Sequence, residues 1–279
     1  MFQYAFGRHL ANKNATELKL DLSFYSDSTL KDPRLTRRYY NLDIFNIEAA
    51  IASDEEVALL SQRGRGGAVG RMLKKLIGKS SCLVMEPHYH FSQTMYDLPD
   101  GVYVSGYWQS PKYFADVELE LRKEFTFRQK LEPNSEELRL RLREANSVCV
   151  NVRRGDFVGN SLHDAFGVDY YYKALSIVAE RLRDFRIFVF SDDIEWCREN
   201  LKFDEPAEYV SHEHLGNKYQ DYIRLIASCR HFIIPNSSFS WWAVWLNEDG
   251  DKIVIAPKDW VADPSWNTDD LYPADWIRI

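Results

Sequence analysis

The chain has few cysteines, no long apolar run and no excess of basic residues. Its four cysteines stand singly, without a C-x-x-C pair, which argues against a zinc site or a disulfide framework and favours a reducing compartment. No stretch reaches the apolar length of a transmembrane helix, and the N-terminus lacks a signal-peptide pattern. A formal net charge of −7 argues against general nucleic-acid binding. We therefore expect a cytosolic protein whose anionic ligands are met by local arginines.

A strand at the very start of the chain is also absent. Phe2, Phe6 and Leu10 recur at helical spacing, so the pattern predicts an opening amphipathic helix, followed by a strand over residues 17–22. The sequence S-D-E-E that begins at Ser53 predicts a capping box at the start of another helix. The remaining composition, with 45% hydrophobic and 28% charged residues, is that of a globular α/β protein long enough for two domains.

Two segments of the N-terminal half carry basic or histidine residues. Residues 61–81 are rich in glycine, lysine and arginine, and they predict a loop running into a basic helix that is solvated or faces a membrane surface; a phosphate-cradling loop is the alternative. His88 and His90 are predicted to share one face of a strand. No third ligand stands near them, so ordinary packing is favoured over a metal site.

The segment at residues 101–114, G-V-Y-V-S-G-Y-W-Q-S-P-K-Y-F, predicts a strand that ends in aromatic and amide side chains. Tyr107, Trp108 and Gln109 are candidates to stack on a sugar ring and to bond its hydroxyls. Further along, Pro133 with the Asn and Ser that follow breaks the chain before a charged helix. We place the domain boundary there, with domains at residues 1–132 and 133–279.

After that boundary, strands and helices alternate regularly. Apolar runs at residues 148–152, 187–190, 232–234 and 253–256 predict strands, and the segments between them have the apolar spacing of helices. Alternation of this kind predicts a parallel sheet in a Rossmann-like domain.

The run S-V-C-V-N-V-R-R-G-D-F-V at residues 147–158 is the most informative stretch. Its apolar strand stops at Arg153 and Arg154, followed by Gly155 and Asp156. Paired guanidinium groups at a strand end can clamp phosphate oxygens without a metal, which makes the two arginines the leading candidates for an anion site. The alternative interpretation is an Arg–Asp ion pair beside a glycine turn.

Polar residues follow successive predicted strands at the point where each strand ends. They are Arg153, Arg154 and Asp156 after the first strand, Asp192 and Asp193 after the second, and Asn236, Ser237, Ser238 and Ser240 after the third. Parallel strands bring their carboxyl ends to one edge, so these residues should converge on one crevice. Hydroxyls and free N–H groups at a helix start near Ser238 suit a phosphate, and a carboxylate such as Asp192 or Asp221 suits ribose hydroxyls or guanine N–H donors. For each residue alone, a helix cap is the ordinary alternative.

These residues resemble the bacterial α-1,2-fucosyltransferases, which belong to a wider group of GDP-fucose enzymes with two Rossmann-like domains in the GT-B architecture. The resemblance covers nearly the whole chain. Five motifs carry it in the expected order: M-F-Q-Y-A-F at residues 1–6, G-Y-W-Q-S at 106–110, V-R-R-G-D at 152–156, S-D-D at 191–193 and N-S-S-F-S-W-W at 236–242.

The resemblance implies transfer of L-fucose from GDP-β-L-fucose to the 2-hydroxyl of a terminal β-galactoside, with inversion and without a metal or other cofactor. Arg153 would hold the diphosphate, and Arg154 and Asp156 would set the geometry of its loop, with Arg153 and Asp156 as the catalytic pair. The donor-binding set would be Asn151, Arg153, Arg154, Asp192, Asp221, Asn236, Ser237, Ser238 and Ser240, and the acceptor set would be Tyr107, Trp108 and Gln109. The implied partners are GDP-fucose and a galactose-terminated or lipid-linked glycan, in the cytoplasm or at the inner face of the membrane.

Two departures from the family pattern matter. Asn151 stands where members usually carry histidine, and asparagine cannot titrate near neutral pH. The first strand and glycine loop expected ahead of the opening motif are also missing, so we expect that the reading frame begins upstream of Met1. The alternatives are a relative that binds nucleotide sugar or glycan without turnover, and a fucosyltransferase of different linkage.

Overall fold

The computed structural model describes residues 1–26, 39–61, 82–155 and 167–279. Its contacts divide the chain into a first unit, Met1–Thr126 with Asp269–Tyr272, and a second unit, Phe127–Thr268 with Pro273–Ile279. The division falls ahead of Pro133, because Gln129 already bonds the second unit: it accepts from Gln220 Nε2 at 3.0 Å and from Arg224 at 2.8 Å. Apart from Ser61, the predicted basic segment at 61–81 lies outside the described residues.

The first unit combines short helices with two separate pairs of parallel strands. Its elements are α1 Phe2–Asn14, β1 Lys19–Leu20, α2 Ser23–Ser26, β2 Ala50–Ile51, α3 Asp54–Ser61, β3 Leu83–Met85, α4 Gln93–Tyr96, β4 Tyr103–Ser105 and α5 Glu118–Glu124. Strand β1 pairs with β2 and β3 pairs with β4, both in parallel. The predicted opening helix is confirmed, and the predicted strand at 17–22 forms only over the two residues of β1.

Helix α1 forms because its apolar residues recur on one face, and that face supplies much of the core of the first unit. Phe6 is fully buried and packs against Trp108 and Tyr113, with ring centroids 4.4 and 4.9 Å away. The capping box at α3 is also confirmed, because Ser53 N–H donates to Glu56 Oε2 at 2.9 Å and Glu56 N–H donates to Ser53 Oγ at 3.3 Å.

The prediction of a strand through His88 and His90 is wrong. Strand β3 ends at Met85, and residues 88–90 bend away with the two histidine rings stacked 3.5 Å apart. Pro87 explains the early end, because proline has no N–H to donate to a strand ladder.

The second unit is built on one parallel sheet of six strands. Its elements are α6 Pro133–Glu144, β5 Ser147–Val152, α7 Val168–Arg181, β6 Arg186–Ser191, α8 Ile194–Asn200, β7 Ala207–Tyr209, α9 Gln220–Ala227, β8 His231–Ile233, α10 Ser238–Leu246, β9 Val254–Ala256 and β10 Ile277–Arg278. The strand order is β10-β9-β8-β5-β6-β7, with every neighbouring pair parallel. This is the order of the doubly wound Rossmann sheet, so the predicted Rossmann-like domain is confirmed.

Strand β5 is an inner strand of this sheet, between β8 and β6, and every one of its residues is buried. Residues buried on both faces read as a continuous apolar run, which is what the sequence shows at Val148, Val150 and Val152. Helix α7 covers one side through Tyr171, Leu175 and other residues that belong to the same buried cluster. The predicted α/β class with parallel sheets therefore holds in both units. No helix in the described ranges is long and apolar enough to cross a membrane.

His231 is a buried histidine whose hydrogen bonds require the neutral ring. Its Nδ1 accepts the N–H of Ile253 at 3.0 Å, so Nε2 carries the proton and donates to Asn146 Oδ1 at 3.2 Å. Burial lowers the pKa of His231, and the neighbouring Arg230 lowers it further. Protonation would place a second proton on Nδ1 and remove the bond that ties β8 to Ile253.

We predict that this histidine makes the second unit less stable in mild acid. In the unfolded chain His231 titrates near its ordinary pKa of about 6.5. Since the folded pKa is lower, the unfolded state binds more protons below that pH, and the stabilising contribution present above it is lost as the pH falls. Urea unfolding at pH 7.5 and 5.5 should show a smaller pH effect in His231→Asn than in the wild type. The control His212→Asn removes an exposed histidine of the same unit, and an equal effect there would contradict the assignment.

Candidate functional site

The strand order of the second unit reverses between β5 and β8. From β5 the chain moves outward through β6 and β7, whereas β8, β9 and β10 extend in the opposite direction. Ligands of open α/β sheets bind outside the carboxyl ends of the strands at such a switch point. Arg153 follows β5, Asp192 follows β6, and the polar run from Asn236 follows β8. The structure therefore brings the residues after these three strands to one edge.

Arg153 is held at this edge by Asp192. Its Nη1 lies 2.9 Å from Asp192 Oδ2, and the arginine side chain is 30% exposed. The same carboxylate accepts the backbone N–H groups of Arg154 and Gly155, both at 2.9 Å. A Cβ at Gly155 would lie only 2.5 Å from Asp192 Oδ2, so a larger residue here would displace the Asp192 carboxylate from this position. Asp192 thus fixes both the loop after β5 and the guanidinium beside it.

Arg154 has a different environment from Arg153. Its guanidinium lies over the ring of Trp196, 3.6 Å from the centroid, and Nε lies 3.2 Å from Asp193 Oδ2. Asp193 also caps α8, since its Oδ1 accepts the N–H of Trp196 at 3.2 Å. The planar guanidinium stacks on the aromatic ring and pairs with the carboxylate at the same time. A lysine ammonium has no planar face and could not make both contacts in this way. Arg154 therefore anchors the loop to α8.

Asn151 and Ser240 lie beneath the edge and bond each other. Ser240 Oγ donates to Asn151 Oδ1 at 2.5 Å, and Asn151 Nδ2 donates to the carbonyl of Phe190 at 3.1 Å. Asn151 is 5% exposed and Ser240 is fully buried. The pair joins β5, β6 and α10 from below, so it determines where the start of α10 lies relative to Arg153.

The start of α10 presents hydroxyls at the edge. Ser237 is the N-cap residue, yet its side chain makes no capping bond, and Ser238 is exposed. Among the described residues, no group is hydrogen-bonded to either hydroxyl. The first N–H groups of a helix attract anions. Asn236 is buried beside them and donates from Nδ2 to the carbonyl of Trp260 at 2.9 Å.

The two remaining predicted residues are Asp156 and Asp221. Asp156 lies outside the described residues. Asp221 is fully buried in the first turn of α9, and its Oδ2 accepts the N–H of Glu132 at 3.1 Å. Asp221 follows no strand, and its other carboxylate oxygen, Oδ1, has no hydrogen-bond partner among the described residues. Its contact with Glu132 fastens the segment before α6 to α9.

The three predicted acceptor residues lie in the loop after β4 of the first unit, and they differ in how exposed they are. Tyr107 is 57% exposed, whereas Trp108 is 1% exposed and packs against Phe6 and Tyr113. Trp108 has a φ of +56°, a left-handed conformation that costs free energy unless its surroundings hold it. Gln109 is partly buried, with a buried Oε1. Trp108 is thus a core residue, and only its two neighbours remain available to a ligand.

Sequence reasoning missed Glu86 and Trp196. Glu86 follows β3 and shapes the β4 loop, since Oε2 accepts the N–H of Tyr107 at 2.6 Å and Oε1 accepts that of Trp108 at 3.0 Å. Burial raises the pKa of Glu86. The position of Glu86 directly after the apolar residues of β3 could have identified it from the sequence as a candidate site residue. The stacking of Trp196 under Arg154 had no signal, because the two residues are far apart in sequence.

The chain is similar to known proteins over its full length. A family model described as Glycosyl transferase family 11 matches residues 87–279. An alpha-1,2-colitosyltransferase of Escherichia coli is 32% identical over all of this chain and 94% of its own length. The O-antigen biosynthesis glycosyltransferase WbnK of Escherichia coli is 28% identical over all of this chain and 96% of its own.

Two further matches are more distant. A galactoside alpha-(1,2)-fucosyltransferase 1 of Mico humeralifer is 26% identical over 62% of this chain and 50% of its own length. The structure of E. coli ADP-heptose lps heptosyltransferase II aligns with all of this chain and 86% of its own, with 12% identity and a TM-score of 0.41. The sequence matches confirm the resemblance to the α-1,2-fucosyltransferase family.

We predict that Ser240→Ala destabilises the second unit by about 1–3 kcal/mol, because Asn151 Oδ1 would be left buried without a donor. The control is Ser176→Ala, which removes an exposed hydroxyl on α7 and should change the free energy of unfolding by less than about 0.5 kcal/mol. Urea denaturation of both variants measures the difference. Equal stability of the two would show that the Ser240 bond contributes nothing.

Proposed function

Because this chain belongs to glycosyl transferase family 11, we propose that it transfers L-fucose from GDP-β-L-fucose to the 2-hydroxyl of a terminal β-galactoside. The reaction inverts the anomeric carbon and needs no metal or other cofactor. The observation that carries the proposal is that an arginine after β5 and the start of α10, which follows β8, stand on the two sides of the switch point of the sheet. Such an edge suits a nucleoside diphosphate.

In this proposal Arg153 takes the charge of the departing diphosphate. The bond between the anomeric carbon and the phosphate oxygen breaks, and its electron pair leaves with GDP. Guanidinium and N–H donors placed where that charge develops stabilise the transition state electrostatically. Ser237 and Ser238 would add hydroxyl donors to the phosphate oxygens. The guanidinium and hydroxyl donors of the chain then stabilise the charge of the leaving diphosphate, which is the role of a bound metal ion in metal-dependent transferases.

Asp192 and Arg154 would act through their contacts with the β5 loop. Asp192 bonds two loop N–H groups and pairs with Arg153, so it holds the guanidinium in place before the donor arrives. Arg154 fixes the same loop through Trp196 and Asp193. Asn151 and Ser240 hold the start of α10 from beneath. We assign these four residues to positioning.

The acceptor supplies the nucleophile. Its 2-hydroxyl oxygen forms the new bond to the anomeric carbon from the face opposite the leaving group, and its proton passes to a base within hydrogen-bond reach. Tyr107 is the exposed aromatic residue of the β4 loop and is proposed to pack on the sugar, with Gln109 beside it. The acceptor is a galactose-terminated oligosaccharide or a lipid-linked glycan. The expected place of action is the cytosol or the inner face of the membrane.

A second candidate donor is GDP-colitose. The relative named as an alpha-1,2-colitosyltransferase matches the full chain at 32% identity, whereas the fucosyltransferase match covers 62% of it. Colitose is the 3-deoxy form of L-fucose, so the two donors differ only by one hydroxyl. Both names specify an α-1,2 linkage. The linkage proposal therefore does not depend on which donor is used.

We predict that Arg153→Ala lowers kcat by about 10²–10³-fold, the usual cost of losing one transition-state donor. Arg153→Lys should recover only part of this loss, because lysine keeps the charge without the planar fork. The measurement is acceptor-dependent GDP release with chelator present. Arg198→Ala, which removes a 44% exposed arginine of the same unit, should retain wild-type turnover. Full activity of Arg153→Ala would remove the arginine clamp from the mechanism.

We predict that GDP-fucose is preferred over GDP-colitose in kcat/KM, with an α-1,2 product in either case. A site that bonds the 3-hydroxyl would reject the deoxy donor by about 10⁴–10⁵-fold, whereas a site closed by apolar atoms there would instead favour the deoxy donor, by only about 10²-fold. Parallel assays on lactose, followed by NMR of the product linkage, measure both quantities. A preference for GDP-colitose would favour the second candidate. GDP binding without any turnover would favour a non-catalytic relative.

A further inference from the structure

One carboxylate joins the ends of two neighbouring strands in the first unit. Strands β3 and β4 pair in parallel, and Glu86, the residue after β3, donates its N–H to the carbonyl of Ser105 at 2.8 Å. From this position the Glu86 side chain reaches the loop after β4, where Oε2 accepts the N–H of Tyr107 at 2.6 Å and Oε1 accepts that of Trp108 at 3.0 Å. We call these two bonds the Glu86 clamp.

The β4 loop has a backbone conformation that needs such support. Trp108 has a φ of +56°, and a bulky residue in the left-handed region costs free energy that its surroundings must offset. Successive backbone N–H groups in a turn form a concave site for an anion. In this protein the chain itself supplies the anion, because the Glu86 carboxylate accepts both N–H groups. The clamp therefore stabilises the left-handed turn.

The turn sends two neighbouring side chains in different directions. Tyr107 is exposed, whereas Trp108 is buried and packs its ring on those of Phe6 and Tyr113. The start of the loop is fixed as well, since Gln3 Nε2 donates to the carbonyl of Gly106 at 2.7 Å. The Trp108 ring anchors the loop in the core, and the clamp determines how the backbone on either side of that ring is oriented.

Gly106 leaves the space that the clamp occupies. A Cβ at this position would lie 2.4 Å from the Cβ of Glu86 and 2.7 Å from its Oε2. Both distances are shorter than non-bonded atoms adopt, so a larger residue would displace the Glu86 side chain from the loop. The carboxylate and the space for it therefore come from two positions distant in the chain, and either position can be changed to break the clamp.

The surroundings of Glu86 disfavour its charge. Burial raises the pKa of its carboxyl above 4.5, while the two loop N–H groups and His88 act in the opposite direction. Tyr89 and Tyr113 also face the carboxylate, and in the described part of the chain no lysine or arginine pairs with it. A carboxyl with a raised folded pKa lowers the stability of the fold as the pH rises through that pKa and the group ionises. Such a residue is more consistent with a functional role than with a gain in stability.

We propose that Glu86 is a positioning residue of the transfer reaction, whose carboxylate holds the β4 loop so that Tyr107 faces outward while Trp108 stays in the core. Both oxygens are already bonded to the loop, so Glu86 acts through the loop and not on the reacting atoms. The role of the loop in acceptor binding rests on the proposed function, whereas the clamp rests on contacts within the first unit. Loss of the clamp lowers the fraction of molecules with a competent loop, and the apparent affinity falls in proportion.

The test compares Glu86→Gln with Glu118→Gln in the whole chain. Glutamine keeps one oxygen that can accept an N–H, but its amide nitrogen is a donor and leaves the second loop N–H without a partner. Glu118 is a 44% exposed residue of the same unit that pairs with Arg122 on α5, so removing its charge should not affect the loop. Gly106→Ala breaks the clamp from the other side and should behave like Glu86→Gln.

Hydrogen exchange measures the clamp without any substrate. In the wild type and in Glu118→Gln, the amides of Tyr107 and Trp108 should be protected. In Glu86→Gln and Gly106→Ala they should exchange at least about tenfold faster, because a bond to a charged acceptor is lost. Equal exchange in the wild type and Glu86→Gln would overturn the proposal whether or not the protein is an active transferase.

Steady-state kinetics with lactose as acceptor separate positioning from proton transfer. Glu86→Gln should raise the KM for lactose about tenfold and leave kcat and the KM for the donor unchanged. The double variant with Gly106→Ala should show no further rise, because both changes break the same contact. An unchanged KM for lactose, or an equal rise in Glu118→Gln, would overturn the proposal. A fall of kcat by about 10²-fold would also overturn it, since that is the effect of losing a general base.

The outcomes separate this inference from the proposed function. If the wild type transfers fucose and Glu86→Gln does so with the same kinetic constants, the transferase proposal stands and the positioning role fails. If no sugar is transferred, but lactose binding followed by NMR is weaker in Glu86→Gln and Gly106→Ala than in the wild type, the loop and its clamp serve glycan binding and the transferase proposal fails.

Discussion

The hydrogen bond between Asn151 and Ser240 is the contact on which the arrangement of the second unit depends most directly. It joins the central strand to the start of α10, and the bond from Asn151 to Phe190 joins the same side chain to β6. A buried side-chain amide whose oxygen and nitrogen are both hydrogen-bonded lowers the stability of the fold little, whereas an unsatisfied buried polar group lowers it by about 1–3 kcal/mol. The polar pair therefore fixes one spacing between strand and helix. Arg153 and the serines at the start of α10 take their relative places from that spacing.

The arginines after β5 supply local positive charge in an acidic chain, which is what the proposed diphosphate site requires. With a net charge of −7 the long-range field offers a phosphate little attraction, so binding must come from local donors. Asp192 pairs with Arg153 and Asp193 with Arg154, so each of the two neighbouring arginines has a carboxylate partner when no anion is bound. The sequence left an anion clamp and an Arg–Asp pair as alternatives. The structure contains both Arg–Asp ion pairs. Because they lie at the switch point of the sheet, where ligands of such sheets bind, they are compatible with an anion clamp as well.

The same geometric rule operates separately in each unit. Parallel strands send their carboxyl ends to one edge, and the chain turns there into helices or loops whose polar groups are not consumed by the sheet. In the second unit these groups are cationic residues and hydroxyls. In the first unit they are carboxylates and tyrosines, with Glu86 and the β4 loop at the end of the other strand pair. Opposite chemistry at the two edges follows from the residues that happen to follow each strand.

The sequence by itself determined the alternation of strands and helices, the Rossmann-like class of the second unit and the set of residues after β5, β6 and β8, because these depend on local periodicity. Its motifs also identified the family. Only the tertiary structure decided the order of strands, the short strands β7 and β10, the core position of Trp108 and the burial of Asp221. Trp108 turns inward because Glu86 holds its N–H and Phe6 packs on its ring, and Asp221 bonds Glu132. Such contacts join residues distant in the chain, and no local pattern records them.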